Sequence, residues 1–330
     1  MARSHYLLAA LGALLLQVAS PALAQPVPKA LRPVAWKIVE SVDIAAFNKD
    51  LVAGKPTLDV GIYLPSNFDP AFKKLTLEQM VDGVRSAKEI YKPAGVQINL
   101  LWVKTGAIDP RHLAIQSNEI PRVPDTEYVN LYEGNKRHPT ELTDMARSAF
   151  QSMIEPRKDS DRTIYLVALQ DVIMPFLERS DGRNWTVKMV RTGGLSFPSY
   201  SYYGTIPRAY RGVITVDNLS TPSRGRRTIA HEIGHKVMNV SHEYKTTDPG
   251  FEVYADGGLM LYGDGEDIPS GAEGRWHLER LLMSPYLYRL RPDGAKQWNP
   301  DYEDGGHYYD PIYGDKVVRF PGQPNMDPNW

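Results

Sequence analysis

One helical segment limits what this chain can fold into more than any other. Thr221-Pro222 opens it, with Thr as N-cap and Pro at the first helical position, and the spacing predicts a helix over about residues 222–238. Ile229, Ile233 and Val237 recur at i, i+4 and i+8, while His231 and His235 recur at i and i+4 on the nearly opposite side. Such a helix needs an apolar layer against one side and a cleft against the other. His231-Glu232-Ile233-Gly234-His235 is therefore a candidate metal motif. Both imidazoles can reach one ion, and Glu232 sits beside it without being a ligand, placed to take a proton from water.

A catalytic zinc takes three protein ligands and keeps one position for water. His242 is the nearest candidate for the third. On a continuing helix it would sit about 10 Å further along the axis than His235, at roughly 1.5 Å per residue, and could not share the ion. The chain must leave the helix and turn back. Asn239 is the non-glycine type that best tolerates positive φ, and it suits that turn as the residue after the helix.

This order resembles the metzincin zinc peptidases, whose pattern is H-E-x-x-H-x-x-G-x-x-H followed by a Met-turn. The resemblance implies His231, His235 and His242 as Zn²⁺ ligands and Glu232 as general base, with Asn239 where the family has Gly. Lys236, Val237 and Met238 precede the turn residue, one more than in the family pattern. Gly258-Leu259-Met260-Leu261-Tyr262-Gly263 is similar to the Met-turn. That likeness implies Met260 as an apolar floor beneath the metal, and Tyr262 as a residue that binds the ion or stabilises the oxyanion. The resemblance covers residues 57–285 in outline and is specific over 231–262. A competing pattern, Glu252 with Asp256, resembles the second signature of thermolysin-like gluzincins and offers Glu252 as third ligand. There Phe251 stands where that family has Asn, and Gly257-Gly258 cuts short the helix it needs.

The absence of cysteine excludes a disulfide framework, a thiol nucleophile and a thiolate metal site, so the fold rests on its core. A net charge of −1 without a basic run gives no footprint for nucleic acid. Residues 1–24 read as a signal peptide: Arg3, the apolar stretch Leu7 to Val18, then Ala22-Leu23-Ala24 as cleavage site. A secreted or periplasmic protein is expected, with no later stretch long enough to span a membrane. Residues 25–56, Pro-rich at first, read as an extension or short pro-segment.

Leu58–Leu64 has strand character. Thr76 and Gln79 form a capping box ahead of Leu77, Met80, Val81, Val84, Ala87 and Ile90 at helical spacing, and Pro93-Ala94-Gly95 ends that helix. Val96–Val103 is a second strand, giving a strand–helix–strand unit that favours a parallel pair. Residues 105–139 read as an irregular surface insertion, 140–154 as a helix, 163–169 and 212–216 as strands, and 272–283 as a late helix. The Ser/Tyr run from Ser196 to Tyr203 could line a peptide cleft through an edge strand. His112, His138, His277 and His307 receive no role.

The expected fold class is α+β: a metzincin-like zincin domain over residues 57–290, with a twisted mixed sheet and an active-site helix, then an irregular tail over 291–330. The expected function is hydrolysis of a peptide or protein substrate by an exported zinc metallopeptidase, as an endopeptidase. The alternatives are a gluzincin-like peptidase using Glu252, hydrolysis of a non-peptide amide, or a secreted metal-binding protein without catalysis. An intact Glu232 weighs against the last.

Overall fold

The computed structural model describes residues 33–121, 136–137, 141–179, 184–198, 202, 206–240, 242, 258–260, 265, 267–268 and 271–301. The signal-peptide reading, Tyr262, Glu252 and Asp256 lie outside the described residues. In chain order the elements are β1 (Lys37–Ile38), α1 (Ile44–Asn48), β2 (Thr57–Pro65), α2 (Leu77–Tyr91), β3 (Gln97–Gly106), β4 (Ala114–Gln116), β5 (Lys136–Arg137) and α3 (Asp144–Met153). There follow β6 (Ile164–Ala168), β7 (Asp171–Glu178), β8 (Thr186–Arg191), β9 (Gly194–Ser196), β10 (Val213–Val216), α4 (Pro222–Met238), α5 (Gly271–Leu282), β11 (Leu287–Leu290) and β12 (Lys296–Trp298).

The main sheet is mixed, in the order β1-β3-β2-β6-β10-β9, with β11 joining β2 and β12 joining β11. The four central strands are parallel to their neighbours, while β1, β9 and β11 run antiparallel. The strand–helix–strand expectation is met, since β2 and β3 pair in parallel on either side of α2. Thr76 and Gln79 form the reciprocal capping box, and Gly95, at φ 75°, turns the chain after α2.

Both faces of this sheet are covered, which explains strands that are apolar on both sides rather than alternating. Leu58, Val60 and Ile62 of β2, Leu166 of β6 and Ile214 of β10 face α2 and α4, where they meet Met80, Val84, Ile229 and Ile233. Tyr63, Tyr165 and Val167 project the other way onto Phe150 and Met153 of α3. Burying each large side chain of this kind contributes about 1.5–3 kcal/mol. The helices α2 and α4 approach closely at Gly83, where a Cβ would lie 2.6 Å from the Ile229 Cδ1. Tyr91 Oη donates to the Ala230 carbonyl at 2.8 Å, fixing α4 along its length.

Three segments are placed by the structure, and the loop readings of the last two are corrected. Residues 33–56 belong to the domain: Trp36 Nε1 donates to the Met153 carbonyl at 2.8 Å, and the Asn48 amide pairs with both backbone groups of Leu100 at 2.8 and 3.0 Å. Residues 105–118 are not a surface loop. Here β4 pairs in parallel with β7, and Ile108, His112, Ile115, Ser117 and Asn118 are buried. Their polar content looks like loop, but the groups find partners inside, as Asn118 Nδ2 does on the Tyr202 hydroxyl at 2.8 Å. The expected irregular tail is folded as far as residue 301. β11 and β12 form a hairpin on the sheet, and the fully buried Asp301 accepts from Arg211 at 2.8 and 2.9 Å and from Arg208 at 3.1 Å.

Candidate metal centre

The site is built on α4, and its ends form as the sequence predicts. Thr221 Oγ1 accepts from the Arg224 amide at 3.3 Å with Pro222 at the first position. Asn239 ends the helix in the left-handed region at φ 52°, ψ 53°, the single non-glycine residue with positive φ among those described. That turn reverses the chain, and His242 comes back beside the helix. From Ile229 to Met238 the helix is buried on every side, including the histidine face.

Three imidazole nitrogens converge. The Nε2 atoms of His231 and His235 are 3.1 Å apart, those of His235 and His242 are 3.3 Å apart, and those of His242 and His231 are 3.1 Å apart. The other ring nitrogen settles the tautomers. His231 Nδ1 donates to the Leu259 carbonyl at 2.5 Å and His235 Nδ1 to the Val240 carbonyl at 2.8 Å. Arg227 Nη2 lies 2.9 Å from His231 Nδ1 and 3.3 Å from the same Leu259 oxygen, so two donors share one carbonyl. With their protons committed to backbone, His231 and His235 turn bare lone pairs toward each other. That arrangement is repulsive unless a cation lies between them. Burial keeps both rings neutral. It holds His231 well below its ordinary range, aided by His235 and Arg227, and pushes His235 down to about 4.

These residues could hold a metal ion. The donor set fits: neutral imidazoles with the second nitrogen on a carbonyl are the form in which histidine binds metal. For tetrahedral Zn–N bonds of about 2.0–2.1 Å, ligand nitrogens should stand about 3.3–3.4 Å apart, close to the triangle observed.

Glu232, next to His231 in sequence, is buried and is not one of the three residues whose ligand atoms converge. The Ser196 backbone N–H bonds to its carboxyl group, and burial pushes that group up to about 7. A dication on the imidazoles would favour its ionised form. Met260 is buried and lies against Gly234, where a Cβ would come 2.4 Å from the Met260 sulfur. The glycine inside His-Glu-Ile-Gly-His is thus the space that Met260 fills. Similarly, a Cβ on Gly194 of β9 would lie 2.8 Å from Glu232 Cγ, so β9 passes directly over the carboxylate.

Several supporting residues carry no motif. Arg227 is one turn before His231, and its guanidinium reaches the Leu259 and Gly265 carbonyls, tying those two residues to the helix. Its i, i+4 relation to His231 was the available signal. Lys236 is fully buried, with Nζ donating to the Phe197 carbonyl just after β9. His112 and His277 are buried, and neither belongs to the His231–His235–His242 group.

Asp217 ends β10 in a buried joint. Its Oδ2 accepts from the Val172 amide at 3.1 Å, and its Oδ1 is buried without a partner. Burial, opposed by the Val172 N–H, pushes this carboxyl up to about 7 from an ordinary 3.8. A carboxyl raised by folding contributes its full stability below its unfolded value and loses it as pH rises through the folded one. The loss here falls between about pH 4 and 7. Asp217→Asn should therefore gain on wild type by about 2–4 kcal/mol between pH 4.5 and pH 8. Urea unfolding of both chains in chelator measures it, and a difference independent of pH would mean that Asp217 ionises without cost.

No family model matches the chain, and a comparison with curated proteins finds no match. Among the described residues, no helix is long and apolar enough to cross a membrane.

Proposed function

We propose that this chain is an exported zinc-dependent peptidase with a metzincin-like catalytic domain. The observation that carries the reading is the triangle of Nε2 atoms from His231, His235 and His242, with Glu232 buried next to it. When bound, zinc supplies Lewis acidity that polarises a carbonyl and lowers the pKa of water toward about 7.

The chain's own groups account for the remaining chemistry. His231 and His235 are held in the ligating tautomer by the Leu259 and Val240 carbonyls. Glu232 takes a proton from the attacking water and delivers it to the leaving amine. The Ser196 N–H aims its carboxylate. Met260 closes the floor against Gly234 and keeps solvent from beneath the ligands. β9 pairs with β10 on one side only among the described residues, so its other edge is available to an extended polypeptide. Tyr262, two residues after Met260, retains the proposed role of stabilising the oxyanion.

A binding protein would need the three ligands but not a buried carboxylate aimed by a strand amide. The reading is tested with internally quenched peptides. Hydrolysis by the zinc-loaded chain should disappear on dialysis against a chelator and return with stoichiometric Zn²⁺. Hydrolysis that survives complete metal removal would sink it.

A further inference from the structure

β8 is exposed at every position, and Val187 and Met189 are 47% and 51% exposed on one face of it. Its neighbour is β7, with which it pairs over its whole length. Its two cations are occupied by β7 carboxylates, Arg191 with Asp171 at 2.9 Å and Lys188 with Glu178 at 3.7 Å. The strand contains neither Pro nor Gly, and Thr186, Val187 and Val190 favour β structure. Lys188 and Arg191 are the kind of charged residue that blunts an edge, but both are drawn back to carboxylates of β7, which leaves Val187 and Met189 on the open side.

This edge leads to the metal centre. Only Thr192 and Gly193 separate β8 from β9. The Thr192 amide bonds to the Val172 carbonyl of β7 at 3.0 Å, and the Gly193 carbonyl accepts from Asp217 after β10 at 3.1 Å. Asp217 also receives the Val172 amide, so β7 and the end of β10 lie on the same side of the run from Thr186 to Ser196. The opposite side has no strand partner along β8 or β9 among the described residues, and it turns at Gly193, where the chain passes from one sheet to the other. It starts on the exposed apolar face of β8 and ends where Ser196 bonds to Glu232. At about 3.3 Å per residue, Met189 lies roughly 16 Å along this edge from Gly194.

We infer that the β8 edge is an extended binding site for the polypeptide substrate, recruiting an apolar, β-prone segment that flanks the scissile bond. This rests on the peptidase reading and adds the substrate class: an unfolded or extended chain rather than a short peptide. Antiparallel pairing is the stronger kind, and a chain antiparallel to β9 sends its C-terminal half toward β8. Its main chain completes the ladder, and its Val, Ile or Thr side chains cover Val187 and Met189.

The test compares two quenched peptides with the same cleavage sequence, one short and one extended at its C-terminus by about six alternating Val and Thr residues. The zinc-loaded wild type should cleave the extended peptide at least tenfold more efficiently in kcat/KM. Val187→Lys/Met189→Lys should lose that gain and leave the short peptide unchanged. Thr192 N–H points to β7, so Met189 N–H points to the open edge, and Met189→Pro should lose the gain as well. Equal cleavage of both peptides by wild type and variants overturns the inference and leaves the peptidase intact. Binding of the extended peptide to Glu232→Gln, followed by anisotropy, separates the two readings. Edge-dependent binding with no cleavage by wild type would keep the surface and remove the peptidase. A concentration-dependent dimer in sedimentation, abolished by the same variants, would place a second copy on this edge and overturn the inference.

Discussion

Replacing Glu232 by Gln is expected to lower peptide turnover by about 10²–10⁴-fold while zinc per chain stays at the wild-type level. The glutamine keeps the shape and still accepts the Ser196 N–H, but it cannot take a proton from water. Glu232 does not enter the triangle of ring nitrogens, so the ligand set is unchanged. Single-turnover hydrolysis alongside metal analysis of the same preparation gives both numbers. Turnover within a few-fold of wild type would assign the proton transfer to another group. Loss of zinc along with turnover would make the carboxylate a ligand.

His242→Ala is expected to strip the metal. Removal of a group that only orients a ligand costs about 10–100-fold in affinity, and loss of a direct ligand should exceed that. Two imidazoles remain on α4, held by the Leu259 and Val240 carbonyls, but the triangle is open. Competition with a zinc-binding dye across wild type, His242→Ala and His231→Ala gives the comparison. Comparable losses in both variants support three equivalent donors. Undiminished affinity in His242→Ala would move the third ligand to a carboxylate such as Glu252.

Much of the site was legible because its signals are local. Helical periodicity set the two faces of α4, capping chemistry set its ends at Thr221 and Asn239, and the need for a turn-back singled out Asn239 and His242. The fold was legible where a single strand or helix carries its own period, as in β2, α2 and β3. It was less so over residues 105–118 and 171–196, where short strands depend on partners far along the chain. β4 becomes a strand only by pairing with β7, and β8 carries no assignment until its ladder to β7 is seen. The hairpin β11–β12 escaped for the same reason, since its place is set by contact with Leu58 and Thr57.

By itself the sequence determined the candidate ligand types, the helix that presents two of them, the carboxylate next to the first, and the residue that lets the third return. These follow from backbone dihedral preferences and a 3.6-residue period, which act over a few positions. Only the tertiary structure decided that His242 closes the triangle, that Leu259 and Val240 fix the tautomers, that Met260 fills the space at Gly234, and that β9 lies across Glu232. Those are contacts between segments whose approach depends on packing the whole sheet against α2 and α4, and no local pattern encodes a distance across a core.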